Sequence, residues 1–330
     1  MATIIDVAKA AGVSKSTVSR VFTNPSAVKP CTLERINKAA QKLNYMPNAL
    51  ARAMITKKTE TFGFIIHEEQ FPVISNPFYG QILEKIAELT GKRGYSLYIS
   101  SASAVREHSY LPLLQKQIDG VIFASYTKPE MLQDFLLRRI PVVLVNSHTD
   151  LTGVCCVLSD DSGGIEQTVD YLVKKGHRDI GIVEGRFTQF IVDRRHKAFL
   201  RALKKHGLAA KAGGMALTNA DIYAAAETVT ALLNSKNPPS ALVCTNDVIA
   251  LGAIKAAHRR GLNVPRDIAI TGYDNSSLCL ACEPTITSVD ANTAEMGTAA
   301  VEFLFDQIEG KKIVNALRTV KTKLVERESA

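Results

Sequence analysis

No stretch of this 330-residue sequence approaches the roughly 18 uninterrupted apolar residues that a membrane span requires, although 46% of it is hydrophobic. The chain therefore reads as globular, and it is long enough for two or three structural units. A secretory signal is missing too. The opening MATIIDVAKAAG sets Asp6 and Lys9 among its apolar residues and has neither a basic start nor a small-residue cleavage site. Cysteine is sparse: Cys31, Cys155, Cys156, Cys244, Cys279 and Cys282 sit in apolar or strand-like surroundings, as reduced, buried thiols do. Cys279 and Cys282 form one C-x-x-C, but no second pair or histidine cluster completes a zinc site, so neither a metal nor a cofactor is expected.

Signatures of catalysis are also absent. No G-x-G-x-x-G follows a strand, and G-x-x-x-x-G-K-[ST], G-x-S-x-G and H-E-x-x-H do not occur. The histidines are scattered, with His177, His196 and His206 most easily read as helix-end or surface residues. Asp160 and Asp161 could be an acid/base or metal pair, yet they precede Ser162 and Gly163 at a helix start, and capping is the favoured reading. An enzyme such as a carbohydrate kinase or hydrolase would lack a phosphate loop or an identifiable nucleophile and base.

Acidic residues are scarce at one end only. Residues 1–60 hold ten Lys and Arg against three Asp and Glu, a net +7 of the whole chain's +8. A compact basic segment on a neutral body is the footprint of a polyanion-binding module, though a solvated helix or a membrane-surface patch gives the same sum. In that segment Ile4, Ile5, Val7, Ala8 and Ala11 fall at helical spacing and Gly12 stands where a left-handed cap belongs. Ser14 is placed to cap a second helix that turns Val18, Val21 and Phe22 inward. Two short helices on a tight glycine-bearing turn make a helix-turn-helix, whose packing leaves Lys15, Ser16, Thr17, Ser19 and Arg20 outside. Such a face can enter the major groove, where Lys and Arg meet guanine acceptors and hydroxyls meet bases or phosphates; a plain solvated helix face is the alternative. A third helix is expected from about Pro30 to Asn44, and a hinge or linker follows to residue 60.

From Thr61 the pattern changes to short β-branched runs alternating with longer helical segments. TFGFII, YSLYIS, DGVIFAS, PVVLVNS, IGIVEG, ALVCTN and DIAITGYD read as strands, with helices near 78–93, 129–138, 162–176, 194–207, 222–235 and 248–260. This is the α/β succession of parallel, doubly wound sheets. The region is too long for one sheet and reads as two lobes whose strand C-terminal ends face a shared cleft.

IIDVAKAAGVSKSTVSRVFTN followed by NYMPNALARAM resembles the N-terminal module of the LacI/GalR family of bacterial transcription regulators. NPFYGQILEKI, QIDGVIFAS, SDDSGG, GHRDIGIVEG, RRHKAF, TNDVIALGAIKA, VPRDIAITGYDN and LVERES extend the resemblance in order over essentially the whole chain. The resemblance implies an all-α helix-turn-helix head (1–46), a hinge (47–60) and a core similar to periplasmic sugar-binding proteins (61–330). Within that core one lobe would comprise about 61–159 and 291–321, the other about 162–289 and 322–330. It further implies a cytoplasmic, nucleoid-associated homodimer that binds a palindromic double-stranded operator and takes a small effector, a sugar or sugar phosphate, between its lobes. A transport-type sugar-binding protein without a DNA role is the alternative, and the basic head stands where its export signal should be.

By position in the family's motifs, Lys15, Ser16 and Arg20 would read bases, joined in the DNA interface by Thr3, Ser14, Thr17, Ser19, Asn24 and Tyr45. Asn48 and Ala51 would belong to the hinge helix and Met54 would wedge into the minor groove, where the family usually has leucine. Lys29 replaces the usual Ser or Thr cap of the third helix. The same matching implies Arg195, Asp274, Asn246, Phe78, Ser125 and Asp193 as effector contacts, with Ala198 replacing the glycine of R-x-x-G-F. Structural readings stay open beside it: Asp274 as a turn cap, Asn246 as a helix cap, Phe78 as core.

Overall fold

The computed structural model describes residues 2–46, 53, 56, 58–66, 74–101, 118–125, 127–186, 189–211 and 213–330. Asn48, Ala51 and Met54 lie outside the described residues.

The head is built from α1 (Ile4–Ala11), α2 (Lys15–Thr23) and α3 (Pro30–Lys42). Thr3 and Asp6 form a reciprocal capping box at α1, in which Thr3 N–H donates to Asp6 Oδ2 at 2.8 Å. Those bonds hold the Asp6 carboxyl below its usual range. Gly12 ends α1 at φ 60°, a conformation that costs glycine little. Ser14 Oγ then accepts from Thr17 N–H at 3.1 Å and starts α2. Val7, Ala8, Ala11, Val18, Val21, Ile36, Ala39 and Ala40 make the small core. Ile5, expected in the apolar stripe, is instead 50% exposed, because Val7, Ala8 and Ala11 fill the contact with the other two helices. Lys29 gives α3 no side-chain cap, and Pro30 occupies the first turn, where its missing N–H costs nothing.

Among the described residues the remainder forms two six-stranded sheets. The first contains β1 (Thr61–Ile66), β2 (Ser96–Ser101), β3 (Gly120–Ala124), β4 (Val142–Val145), β5 (Val154–Ser159) and β11 (Leu317–Val320), ordered β11-β5-β4-β3-β1-β2 and all parallel. The second contains β6 (Ile180–Gly185), β7 (Met215–Thr218), β8 (Ala241–Cys244), β9 (Ala269–Tyr273), β10 (Thr287–Asp290) and β12 (Lys323–Val325). Its order is β12-β10-β9-β8-β6-β7, with only β12 antiparallel. Helices α4 (Tyr79–Lys92), α5 (Pro129–Leu137) and α10 (Thr293–Ile308) belong with the first sheet. Helices α6 (Asp161–Lys174), α7 (Gln189–Lys205), α8 (Ile222–Leu233) and α9 (Asp247–Arg259) belong with the second.

Strands flanked by helices on both faces are buried on both, which is why β3, β4, β8 and β9 read as unbroken apolar runs rather than alternating ones. The chain passes between the sheets after β5, after β10 and between β11 and β12. The first and third passages are bonded together: Asp160 N–H donates to the Val320 carbonyl at 2.8 Å, and Thr322 Oγ1 donates to the Asp160 carbonyl at 3.0 Å. At the opposite end of the first sheet Asp119, just before β3, grips the chain entering β1. Its Oδ1 accepts from Thr59 N–H (2.7 Å) and Oγ1 (2.9 Å), and its Oδ2 accepts from Glu60 N–H (2.9 Å).

Candidate functional site

Two regions gather polar side chains that folding leaves unused. In the head, Val18 and Val21 turn α2 inward, so Lys15, Ser16 and Arg20 are exposed while Thr17 and Ser19 are half-buried. Ser14 Oγ lies 2.8 Å from both Ser16 Oγ and Thr17 Oγ1, an arrangement that holds three hydroxyls at the start of the helix. Thr3 is exposed at the N-cap of α1. Asn24 is exposed at the end of α2, where its Oδ1 accepts from Ser26 Oγ at 2.8 Å. Tyr45 packs on Phe22 of α2, ring centroids 5.9 Å apart.

The second region lies at the C-terminal ends of both sheets, where parallel strands bring their following loops together. Arg195 of α7 is 3% exposed. Its Nε donates to Asp161 Oδ1 at 3.0 Å, Nη1 donates to the Thr245 carbonyl, and the guanidinium covers the Tyr273 ring at 3.8 Å. Burial opposes the charge on Arg195, but Asp161, Tyr273 and Asp274 outweigh it and raise the guanidinium pKa above its ordinary value. Asp274 Oδ1 is 3.9 Å from Arg195 Nη2, an ion-pair separation too long for a hydrogen bond. The Asp274 carboxyl is buried and makes no side-chain hydrogen bond among the described residues, and burial drives its pKa well above the usual range. It sits at φ 105°, followed by Asn275 at φ 52°; Ser125 (φ 74°) and Asn146 (φ 58°) end β3 and β4 in the same left-handed region. Such backbone is costly for residues with a Cβ and gathers where loops are shaped for ligands.

The structure brings Arg195 and Asp274 together. The other four expected residues each have a structural role or position of their own. Asn246 caps α9, its Oδ1 accepting from Ile249 N–H at 2.8 Å, so only its amide nitrogen is left over. Phe78 is buried with the first sheet's core, edge-on to Tyr79 at 4.9 Å. Ser125 is buried at the end of β3. Asp193 is partly exposed on α7, 3.7 Å from Lys197. Asp160 caps α6 through Gly163 N–H at 3.0 Å, as expected. Asp161 needs a correction: it does not cap but is wholly buried between two arginines, with Arg194 Nε 3.3 Å from its Oδ2. Only the distant RR of α7 could have signalled that role.

Sequence reasoning missed three further features. Asp247 accepts from Ser276 N–H (2.7 Å) and Ser288 Oγ (2.5 Å), anchoring the loop that carries Asp274. Asn146 donates to Tyr79 Oη at 3.1 Å, and its own Oδ1 is buried with no partner among the described residues. His148, after β4, stacks at 6.3 Å on Phe190 of α7, so an aromatic pair spans from one lobe to the other beside Arg194. His206 directly follows the end of α7, as expected, and both it and His196 are half-buried, against Asp170 and Glu184.

A family pattern described as bacterial regulatory proteins, lacI family, matches residues 3–48, and one described as periplasmic binding protein-like domain matches residues 169–330. The HTH-type transcriptional repressor PurR of Pasteurella multocida is 33% identical over all of this chain and 98% of its own length. A transcriptional regulator CelR–cellobiose complex is similar across both whole chains, with a TM-score of 0.75 and 26% identity. A lac repressor dimer bound to operator and the anti-inducer ONPF shares the fold at a TM-score of 0.86 and 24% identity, covering 99% of this chain and 98% of that one. With an exposed basic recognition face, a two-lobed core and these relatives, the chain belongs to the lacI family of bacterial regulatory proteins and is a DNA-binding transcriptional regulator, not an enzyme.

Proposed function

We propose that the protein is a cytoplasmic, nucleoid-associated repressor that binds a palindromic operator as a homodimer and adjusts its grip through a small neutral effector, a sugar or sugar derivative, held between the lobes. Lys15, Ser16 and Arg20 read bases; Thr3, Ser14, Thr17, Ser19, Asn24 and Tyr45 position the head on phosphates and sugars. Asn48, Ala51 and Met54 serve the hinge. Arg195 and Asp274 bind the effector, helped by the amide of Asn246 and by Ser125, while Phe78 and Asp193 shape the cleft around them.

One observation carries the effector reading: among the described residues a buried carboxyl, that of Asp274, stands without a hydrogen bond beside an arginine whose Nε and Nη1 already donate elsewhere. Folded proteins satisfy buried polar groups, so the missing partner is a donor from outside. A hydroxyl suits it, and vicinal hydroxyls can meet Asp274 and Arg195 together. A phosphate suits it less, since Arg195 is already paired with Asp161 and the incoming anion would face Asp274. The CelR relative, solved with cellobiose, agrees in ligand class.

Thermal unfolding against neutral sugars and their phosphates tests this, because a ligand that binds only the folded state raises Tm. The expected result is stabilisation by a neutral sugar that disappears in Asp274→Asn. Stabilisation that survives both Asp274→Asn and Arg195→Lys would place the ligand elsewhere. The DNA side is tested by selecting operators from a random pool, where palindromes should emerge and affinity should fall steeply with salt. Asymmetric sites or a flat salt response would reject it.

A further inference from the structure

Glu184 and His196 form an ionisable pair that the arrangement around Arg195 does not use. Glu184 is the penultimate residue of β6, on the strand face covered by α7, and is only 7% exposed. Its Oε2 lies 2.9 Å from Nδ1 of His196, whose side chain is 33% exposed. Its Oε1 is buried and has no hydrogen-bond partner among the described residues.

The pair adjoins the effector cleft. Gly185 N–H, the next residue, donates to Thr245 Oγ1 at 3.0 Å, and the Thr245 carbonyl accepts from Arg195 Nη1. His196 follows Arg195 directly along α7. Glu184 therefore ends the same sheet edge, one strand beyond Thr245, and Thr218 at the end of β7 leaves a buried hydroxyl without a partner still further along. An ionised carboxylate only accepts hydrogen bonds. A bare buried oxygen on one is costly, and such costs persist at ligand sites.

We propose that Glu184 is a specificity-determining contact of the effector cleft, accepting through Oε1 a hydrogen bond from a hydroxyl or amino group on a non-anionic ring while His196 holds its other oxygen. This rests on the effector reading above and narrows it. Asp274 and Glu184 become two acceptors flanking an arginine already neutralised by Asp161. A ligand with donors on two sides satisfies both, and a phosphorylated or carboxylated ligand brings acceptors where donors are wanted.

The test measures thermal unfolding and ligand titration of the full-length protein with D-glucose, cellobiose, D-glucosamine and glucose 6-phosphate. A neutral or amino sugar should stabilise the wild type more than the phosphate does. Glu184→Ala should weaken that ligand at least tenfold and Glu184→Gln several-fold, with the unliganded Glu184→Gln protein melting no lower than wild type. Ligand affinity unchanged in Glu184→Ala but lost in Asp274→Asn overturns this proposal and leaves the cleft reading standing. A lowered melting point in Glu184→Gln with an intact ligand response makes the pair structural and overturns it too. Stronger stabilisation by the phosphate, or by none of the four, overturns the ligand class and the reading beneath it.

Discussion

Arg20 in the head and Arg195 in the core carry the same charge in opposite settings. Arg20 is exposed on α2 and has no ion pair among the described residues, whereas Arg195 is buried against a carboxylate, a carbonyl and an aromatic face. An exposed guanidinium costs the folded protein nothing and is free for an external anion or a guanine edge. A buried one must be satisfied internally before any ligand arrives, so it can discriminate only by how an incoming group fits its remaining edge. The head stores its binding capacity as solvated charge, and the core stores it as an incomplete hydrogen-bond network. Stability and function should therefore separate cleanly in the first region and be entangled in the second.

The most damaging substitution should be Arg195→Ala, which leaves Asp161 buried without its main counter-charge. Such losses cost about 3–5 kcal/mol, and chemical denaturation should show them together with a lost ligand response. Unchanged stability would mean that Arg194 alone sustains Asp161. Arg20→Ala should leave the unfolding midpoint untouched while costing about 1–3 kcal/mol of operator affinity over random DNA; equal losses on both DNAs would make Arg20 a phosphate contact. Ser14→Ala removes a helix cap and should cost the head roughly 1 kcal/mol, the one substitution expected to blur the separation by touching both folding and the DNA face. Circular dichroism melting of the head transition would show it.

The smallest effect sharpens the core side. Burial lifts the Asp274 carboxyl well above its ordinary 3.8, so the native state holds that proton longer than the unfolded chain does. Wild-type stability is thereby lowered progressively as pH rises from about 3.8 toward the native value. Asp274→Asn escapes this cost. Its stability relative to wild type should rise with pH through that window and level off above it. A constant difference across pH would show that Asp274 is not the titrating group.

Much of the fold was legible because buried parallel strands write themselves as apolar runs: TFGFII, ALVCTN and DIAITGYD coincide with β1, β8 and β9. Elements without that signal went unnoticed, and so did β5 and β10, although β5 is buried along its whole length. Strand β7 is an edge whose residues are mostly exposed, and β11 and β12 are short edges of four and three residues. Helix α10 carries small residues where it crosses α4: a Cβ on Gly297 would stand 3.0 Å from Lys85 Cβ, so its composition follows close packing rather than an apolar stripe. The recognition face could be inferred from α2 alone, since its geometry is local. The cleft could not, because Asp161, Asp247 and Glu184 take their partners 34, 41 and 12 residues away. Nothing in a linear string distinguishes a carboxylate that caps a turn from one that waits for an arginine on another helix.

The grip of Asp119 on Thr59 and Glu60 gives the connector a fixed point of departure. Because one carboxylate clasps three donors there, Thr59 and Glu60 must move with the start of β3.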